Sequence, residues 1–306
     1  MNILLIGRRG QVAHELRRTL ACLGSVTCLD RHTTLPIDLA RPDSIRAAVS
    51  QVKPRLIVNA AAYTAVDQAE TETALADAIN GTAPGLLAEA ALKVGAGLIH
   101  YSTDYVFPGE GTNPYREDDA TGPTNVYGHS KLRGEQAIAE VGVPHYILRT
   151  AWVYGQRGQN FLLTMLRLMR EREVLRVVDD QTGTPTWSRL IAEATSLMIA
   201  GSLSDGRFNP GDKTGVYHLT STGTTTWFGF AQAIRTLGIA NGLLSESCAR
   251  LEPIPTRAYP TPARRPAWSV LNTDKLAERL GCRLPAWDEA LSLCMETDQP
   301  QGRGGA

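Results

Sequence analysis

Tyr127 and Lys131 stand four residues apart in the stretch NVYGHSKLRGE, residues 125–135. On a helix that spacing advances about 6 Å and turns about 400°, so a phenol and an ammonium share one face, one turn apart. A ketone that takes up hydride gathers negative charge on its oxygen, and it needs a proton donor together with hydrogen bonds aimed at that oxygen. A phenol is a weak acid at neutral pH, with an ordinary pKa of about 10, and an adjacent ammonium lowers that value by favouring the phenolate. Thr103, in YSTDYVF, closes an apolar run and offers a further hydroxyl from a strand end. Two exposed polar residues on a surface helix would show the same tyrosine–lysine spacing. With only five lysines and nine tyrosines in the chain that coincidence is uncommon, and Thr103 adds a third member.

Hydride transfer requires a seat for a nicotinamide nucleotide. The first apolar run, NILLIG, leads into GRRGQVA, which spaces Gly7, Gly10 and Ala13 as G-x-x-G-x-x-A. Such a strand-to-helix turn lets backbone N–H groups and a helix N-terminus meet a pyrophosphate, while a small third residue allows close helix-to-sheet packing. A tight turn without a ligand would also use glycine. Asp30, at the end of the second run VTCLD, is spaced to accept from an adenosine ribose hydroxyl. Arg31 follows, and a cation there tolerates a 2′-phosphate, so NADH and NADPH both stay open. Asp38 and Leu39 are placed to border the adenine, or form an ordinary loop. The small residues of NAAAYT, 59–64, suit either a flat ligand against the backbone or tight helix packing.

Short apolar runs at 2–7, 26–30, 56–61, 97–103 and 145–155 alternate with helix-like segments such as 11–24 and 83–97. Runs that are apolar throughout are what strands buried on both faces look like. They predict an α/β protein with a Rossmann-type, doubly wound parallel sheet and a smaller α+β substrate-binding lobe. The expected division is a nucleotide-binding lobe mainly within 1–155 and a second lobe mainly within 156–306, with segments returning to the first. The second half reads as a helix over 160–173, a strand over 174–180, a polar loop over 181–187, a helix over 188–201, a strand over 216–220 and a helix opening at 224–234. Five prolines make 253–266 an extended loop, and 297–306 a flexible tail. Thirty-one basic residues balance thirty-one acidic ones, so no bulk field draws in nucleic acid or an anionic membrane. The five cysteines form no CxxC pair, and no run is apolar enough for a membrane span, so a cytoplasmic protein with reduced thiols is expected.

The strings GRRGQVAHEL, NAAAYTAVDQAE, YSTDYVFPG, NVYGHSKLRGE, RTAWVYG, NFLLTML, DDQTGTPT, YHLTSTGTTTW and PTPARRP with LNTDKL span roughly residues 1 to 290. They resemble the extended branch of the short-chain dehydrogenases/reductases. The resemblance implies reduction of the C4 ketone of a dTDP-sugar, dTDP-4-dehydro-6-deoxy-L-mannose, by NAD(P)H to give dTDP-L-rhamnose, a donor for cell-surface polysaccharide. It gives Gly7, Gly10, Gln11 and Val12 to the pyrophosphate, Asp30 to the ribose, and Asp38 and Leu39 to the adenine side. It gives Ala62, Tyr63 and Thr64 to the middle of the cofactor and Tyr101 to the nicotinamide half. Tyr127 becomes the proton donor, Lys131 the ligand of the nicotinamide ribose and tuner of the phenol, and Thr103 a hydrogen-bond donor to the substrate oxygen. Asp104 and Trp152 match positions that contact the sugar, although a core aromatic would also place tryptophan there. Arg257, Arg264 and Arg265 form a candidate diphosphate clamp, or a solvated basic loop. Ala13 replaces a third glycine. Some members dimerise through magnesium held between carboxylates; Glu15 matches one of those acids, but Arg189 stands where another is expected. No metal site is therefore expected, and the chain is a monomer or a homodimer. An epimerase or another nucleotide-sugar reductase on the same scaffold, and a non-catalytic NADP-binding regulatory subunit, are the alternatives.

Overall fold

The apolar runs of the first half become strands β1 (Asn2–Ile6), β2 (Ser25–Leu29), β3 (Leu56–Asn59), β4 (Gly97–Thr103) and β5 (His145–Thr150). In the computed structural model, which describes residues 1–296, all five pair in parallel. The tail expected to be flexible, 297–306, lies outside the described residues. Among the described residues three more strands longer than two residues follow: β6 (Val174–Val178), β7 (Gly215–His218) and β8 (Arg250–Ile254). β7 joins the main sheet beside β5, giving the order β7-β5-β4-β3-β1-β2. The chain runs outward from β1 in both directions, so a crevice opens beyond the carboxyl ends of β1 and β3, where sheets of this kind bind ligands.

Among the described residues the longer helices are α1 (Gln11–Thr19), α2 (Pro42–Val52), α3 (Ala83–Val94), α4 (Val126–Val141), α5 (Phe161–Glu171), α6 (Ser188–Ala200), α7 (Trp227–Ala240), α8 (Asp274–Leu280) and α9 (Trp287–Met295). Successive strand residues point to opposite faces. Ile3, Leu5 and Val58 accordingly pack with Leu16 of α1 and Ile191 of α6, whereas Leu4, Ile6 and Ile57 pack with Ile45 of α2, Leu87 of α3 and Ile138 of α4. The fold is thus a parallel sheet between two helical layers, as the apolar runs predict. A separate cluster built on Leu162, Met169, Phe230, Ile234 and Leu291 holds α5, α7 and α9 together, and β6 pairs in parallel with β8.

Three local expectations change. The run 145–155 is not one strand: β5 stops at Thr150, Trp152 takes a left-handed backbone (φ 45°), and Val153–Tyr154 pairs instead with Thr186–Trp187. The loop 181–187 contributes a second short pairing, Thr182–Gly183 with Thr225–Thr226. The proline-rich 253–266 is not wholly a loop, because Pro253 and Ile254 complete β8. A proline is tolerated there because β8 pairs on one side only and keeps a free edge.

Candidate active site

The glycine turn is shaped by close backbone contact. Gly7 has φ 102°, and a Cβ there would stand 3.2 Å from the Ala60 carbonyl oxygen. Gly10 caps α1 with an extended backbone and no side-chain cap, so the first-turn N–H groups, those of Gln11 and Val12 among them, lack intrahelical acceptors. The turn before them borders a groove of about 580 Å³ lined by Gly7, Gly10, Asp30, Asp38, Leu39, Ala62, Tyr63 and Thr64, whereas Gln11 and Val12 are not among its lining residues. One oxygen of each carboxylate serves its own turn, Asp30 accepting from the His32 N–H (2.8 Å) and Asp38 from the Ala40 N–H (3.0 Å). The Gln11 side chain turns toward α5, where its Oε1 accepts from Asn160 (2.8 Å), the residue that caps that helix.

Asn80, which the sequence reading passed over, fixes the Ala62–Thr64 stretch. It sits in a π-helical turn, Ala78–Thr82, just before α3. Its Oδ1 accepts from the Tyr63 N–H (2.9 Å), and its Nδ2 donates to the Tyr63 carbonyl (2.9 Å) and to Ser130 Oγ on α4 (3.1 Å). Ser130 in turn donates to the Tyr127 carbonyl (2.8 Å). One buried amide therefore ties the wall of the groove to the helix that carries the tyrosine. Such π turns recur at functional sites.

Asn125 starts α4 by accepting from the Gly128 N–H (2.8 Å). A Cβ on Gly128 would lie 2.3 Å from the Tyr105 carbonyl oxygen, so glycine lets the helix seat on the turn that follows β4. This brings Tyr127 edge-on to Tyr105 (5.6 Å between ring centroids, 79°) and beside the Thr103 hydroxyl. Burial raises the Tyr127 pKa; the Thr103 hydroxyl opposes this, and Asp104 and Tyr105 add to it. The expectation that Lys131 acidifies the phenol is not met. The Lys131 amino group, 1% exposed, donates to the Tyr101 carbonyl (2.5 Å) and lies 3.2 Å from His100 Nε2, directed at β4. Burial lowers the Lys131 pKa to about 8, with Glu135 opposing. A phenol raised in this way is fully protonated at neutral pH, which is the state a proton donor needs.

Tyr101 meets the lysine through its carbonyl, and its phenol turns to α6, sharing a hydrogen bond with Thr195 (2.8 Å). Asp104 is 3% exposed and accepts from the Thr103 hydroxyl through Oδ1 (2.9 Å), while Oδ2 is buried without a partner. Burial raises its pKa to about 6 against the pull of the Ser269 and Thr103 hydroxyls. A buried carboxylate oxygen without a partner is costly, and a ligand hydroxyl would relieve it.

A second cavity of about 750 Å³ has walls that include Thr64, Asp67, Tyr105, Phe161, Trp227 and Arg265. Thr64 lines both this cavity and the groove beside Gly7, so the two adjoin. Trp227 forms part of the wall, and Trp152 stacks flat on it (3.5 Å, 3°). All three arginines line a neighbouring groove, and Arg265 also lines the cavity. Arg265 pairs with Asp67 (2.7 Å) and Arg264 with Glu110 (3.0 Å). Arg189 pairs with Glu193 (2.9 Å), Glu15 pairs with Arg18 (2.8 Å), and among the described residues no group of three acids, histidines or cysteines is arranged to hold a metal. No described helix is long and apolar enough to cross a membrane.

A glycine turn at the switch point of a parallel sheet, together with a tyrosine and a lysine one helical turn apart, is the arrangement of an extended short-chain dehydrogenase/reductase. Residues 1–299 match the family described as RmlD substrate binding domain, and the chain belongs to it. It is 49% identical over 299 residues to the dTDP-4-dehydrorhamnose reductase of Burkholderia thailandensis, covering 96% of this chain and 98% of that one. The fold superimposes on a dTDP-4-dehydrorhamnose reductase from Clostridium acetobutylicum with a TM-score of 0.86 at 34% identity, covering 96% and 98% of the two chains. It also matches the Bacillus anthracis enzyme solved in complex with NADP, with a TM-score of 0.84, 32% identity and the same coverage.

Proposed function

We propose that this protein reduces the C4 ketone of dTDP-4-dehydro-6-deoxy-L-mannose with NADPH or NADH, giving dTDP-L-rhamnose in the cytoplasm. The observation that carries this reading is the meeting of Thr103, Asp104 and Tyr127 at the end of β4, beside Tyr105, which lines the second cavity. The relatives' shared name supplies the identity of the sugar nucleotide. The groove fits a dinucleotide: Gly7 leaves no room for a side chain, and the first-turn N–H groups of α1 await an anion.

The bound nicotinamide supplies a hydride to the ketone carbon. Tyr127 delivers its proton to the resulting oxygen, and Thr103 holds that oxygen by a hydrogen bond. Lys131 engages the nicotinamide ribose. The unpartnered Asp104 oxygen receives a sugar hydroxyl, and Arg265 faces the diphosphate. Trp227 and Phe161 give the remainder of the ligand an apolar wall. Incubation with the 4-keto sugar nucleotide and each reduced cofactor, with loss of reduced nicotinamide followed and the product identified by NMR, tests the reading. A new sugar isomer without net consumption of cofactor would identify an epimerase instead.

Thr103→Val is expected to lower kcat by about 10²-fold or less, because the hydroxyl assists and the proton comes from elsewhere. Initial rates at saturating substrate measure it, and a loss as large as that of the tyrosine variant would reverse the ranking. The protein is read as a monomer or a homodimer without a metal bridge, since Arg189 sets a cation near Glu15. EDTA is expected to leave both the rate and the elution volume unchanged. A fall in either that magnesium restores would show a bridging metal.

A further inference from the structure

We infer that His100, oriented by Asn59, is a positioning residue that makes Lys131 an easily discharged base. This rests on the assignment of Lys131 to the reducing machinery. Asn59, His100 and Lys131 are each 1% exposed and form one chain of hydrogen bonds crossing from β3 through β4 to α4. Its polarity is set at the Asn59 end. The Ala61 N–H donates to Asn59 Oδ1 (3.2 Å), which turns the amide nitrogen toward His100 Nδ1 (3.1 Å). An amide nitrogen only donates, so Nδ1 must offer its lone pair, and a neutral ring then carries its single proton on Nε2. That proton points at Lys131 Nζ, 3.2 Å away.

An ammonium has no lone pair to receive it; a neutral amine does, and still has protons for the Tyr101 carbonyl (2.5 Å). For Lys131 to be charged, the ring must move its proton to Nδ1 and the Asn59 amide must invert, setting its NH₂ against the Ala61 N–H. Protonating both ring nitrogens does not resolve the conflict, because burial and the Lys131 charge both oppose it. The remaining charged or titratable neighbours are Glu135, one turn along α4, which favours the ammonium, and His145 on β5, which adds to the opposition at His100. The chain therefore has two proton arrangements, and the backbone anchor at Ala61 favours the one completed by an amine.

Two measurements test this. In the cofactor-free protein, ¹⁵N NMR of the His100 ring is expected to show the proton on Nε2, with Nδ1 unprotonated; a proton on Nδ1 would overturn the inference. His100→Gln places an amide near Nε2 that can accept from an ammonium without a tautomer change. Its alkaline limb in kcat/KM is expected to move up by about one pH unit, with kcat at the optimum kept within about 3-fold. A profile superimposable on that of the unmodified protein would overturn the role. Should His100→Gln fail to fold, the ring measurement on the unmodified protein decides. If no 4-keto sugar nucleotide is reduced at all, the functional reading fails while the ring result still stands or falls alone.

Discussion

Tyr127→Phe is expected to lower kcat by about 10³-fold while leaving the affinity for reduced cofactor nearly unchanged. The phenylalanine ring keeps the edge-on contact with Tyr105 and the packing of α4, so the fold and the groove beside Gly7 lose nothing. What disappears is the phenolic hydroxyl beside Thr103 that gives up a proton to a growing alkoxide. Positioned proton donors contribute about 10²–10⁴-fold, and a 10³-fold loss corresponds to about 4 kcal/mol of barrier. Because burial keeps this phenol protonated, the loss should persist across neutral pH and should not be recovered by acidifying the buffer. Steady-state consumption of NADPH, paired with a fluorescence titration for cofactor binding, checks both halves. Near-normal turnover would remove the tyrosine from its role, and a parallel loss of cofactor affinity would show that the side chain acts by binding.

The largest loss of stability is expected one turn beyond Lys131. Glu135 and Arg149 face each other with 5% side-chain exposure each, joined by contacts of 2.7, 3.0 and 3.2 Å that pin α4 to β5. The same guanidinium lies over the Phe107 ring (5.0 Å) and reaches the Glu117 carbonyl (3.4 Å). Glu135→Leu strands that cation in a dry interior, where an uncompensated charge costs about 3–5 kcal/mol. Arg149→Met combined with Glu135→Leu should recover much of this, since a buried ion pair replaced by apolar groups of similar volume is close to neutral. Urea denaturation of both variants makes the comparison. A single variant within about 1 kcal/mol of the unmodified protein would show that water reaches the guanidinium, contrary to its burial.

The sheet was legible because strands covered on both faces are mostly apolar, so NILLIG, LIVN and the start of GLIHYST read as short buried strands. The glycine turn and the tyrosine–lysine spacing were legible because each is local. The break after Thr150 was not: the letters TAWVYG continue the β-rich pattern, and nothing in them announces that Trp152 adopts φ 45°. Nor was the role of Asn80, whose amide reaches Tyr63 and Ser130, 17 and 50 residues away in sequence. The pairing of Arg265 with Asp67, 198 residues apart, likewise has no local signature. The shift of the phenol went against expectation because a four-residue spacing specifies which face two side chains share but not where a long flexible one ends. Lys131 ends on the strand, at the Tyr101 carbonyl.

The short bridge from Gln11 to Asn160 joins the first residue of the helix at the nucleotide groove to the cap of the helix that lines the second cavity. The two side chains make a direct polar link between these helix ends. Where occupancy of the groove shifts this bridge, the two ligands become thermodynamically coupled, and each alters the dissociation constant of the other by the same factor. Ordered addition of cofactor before sugar would then be a property of one glutamine.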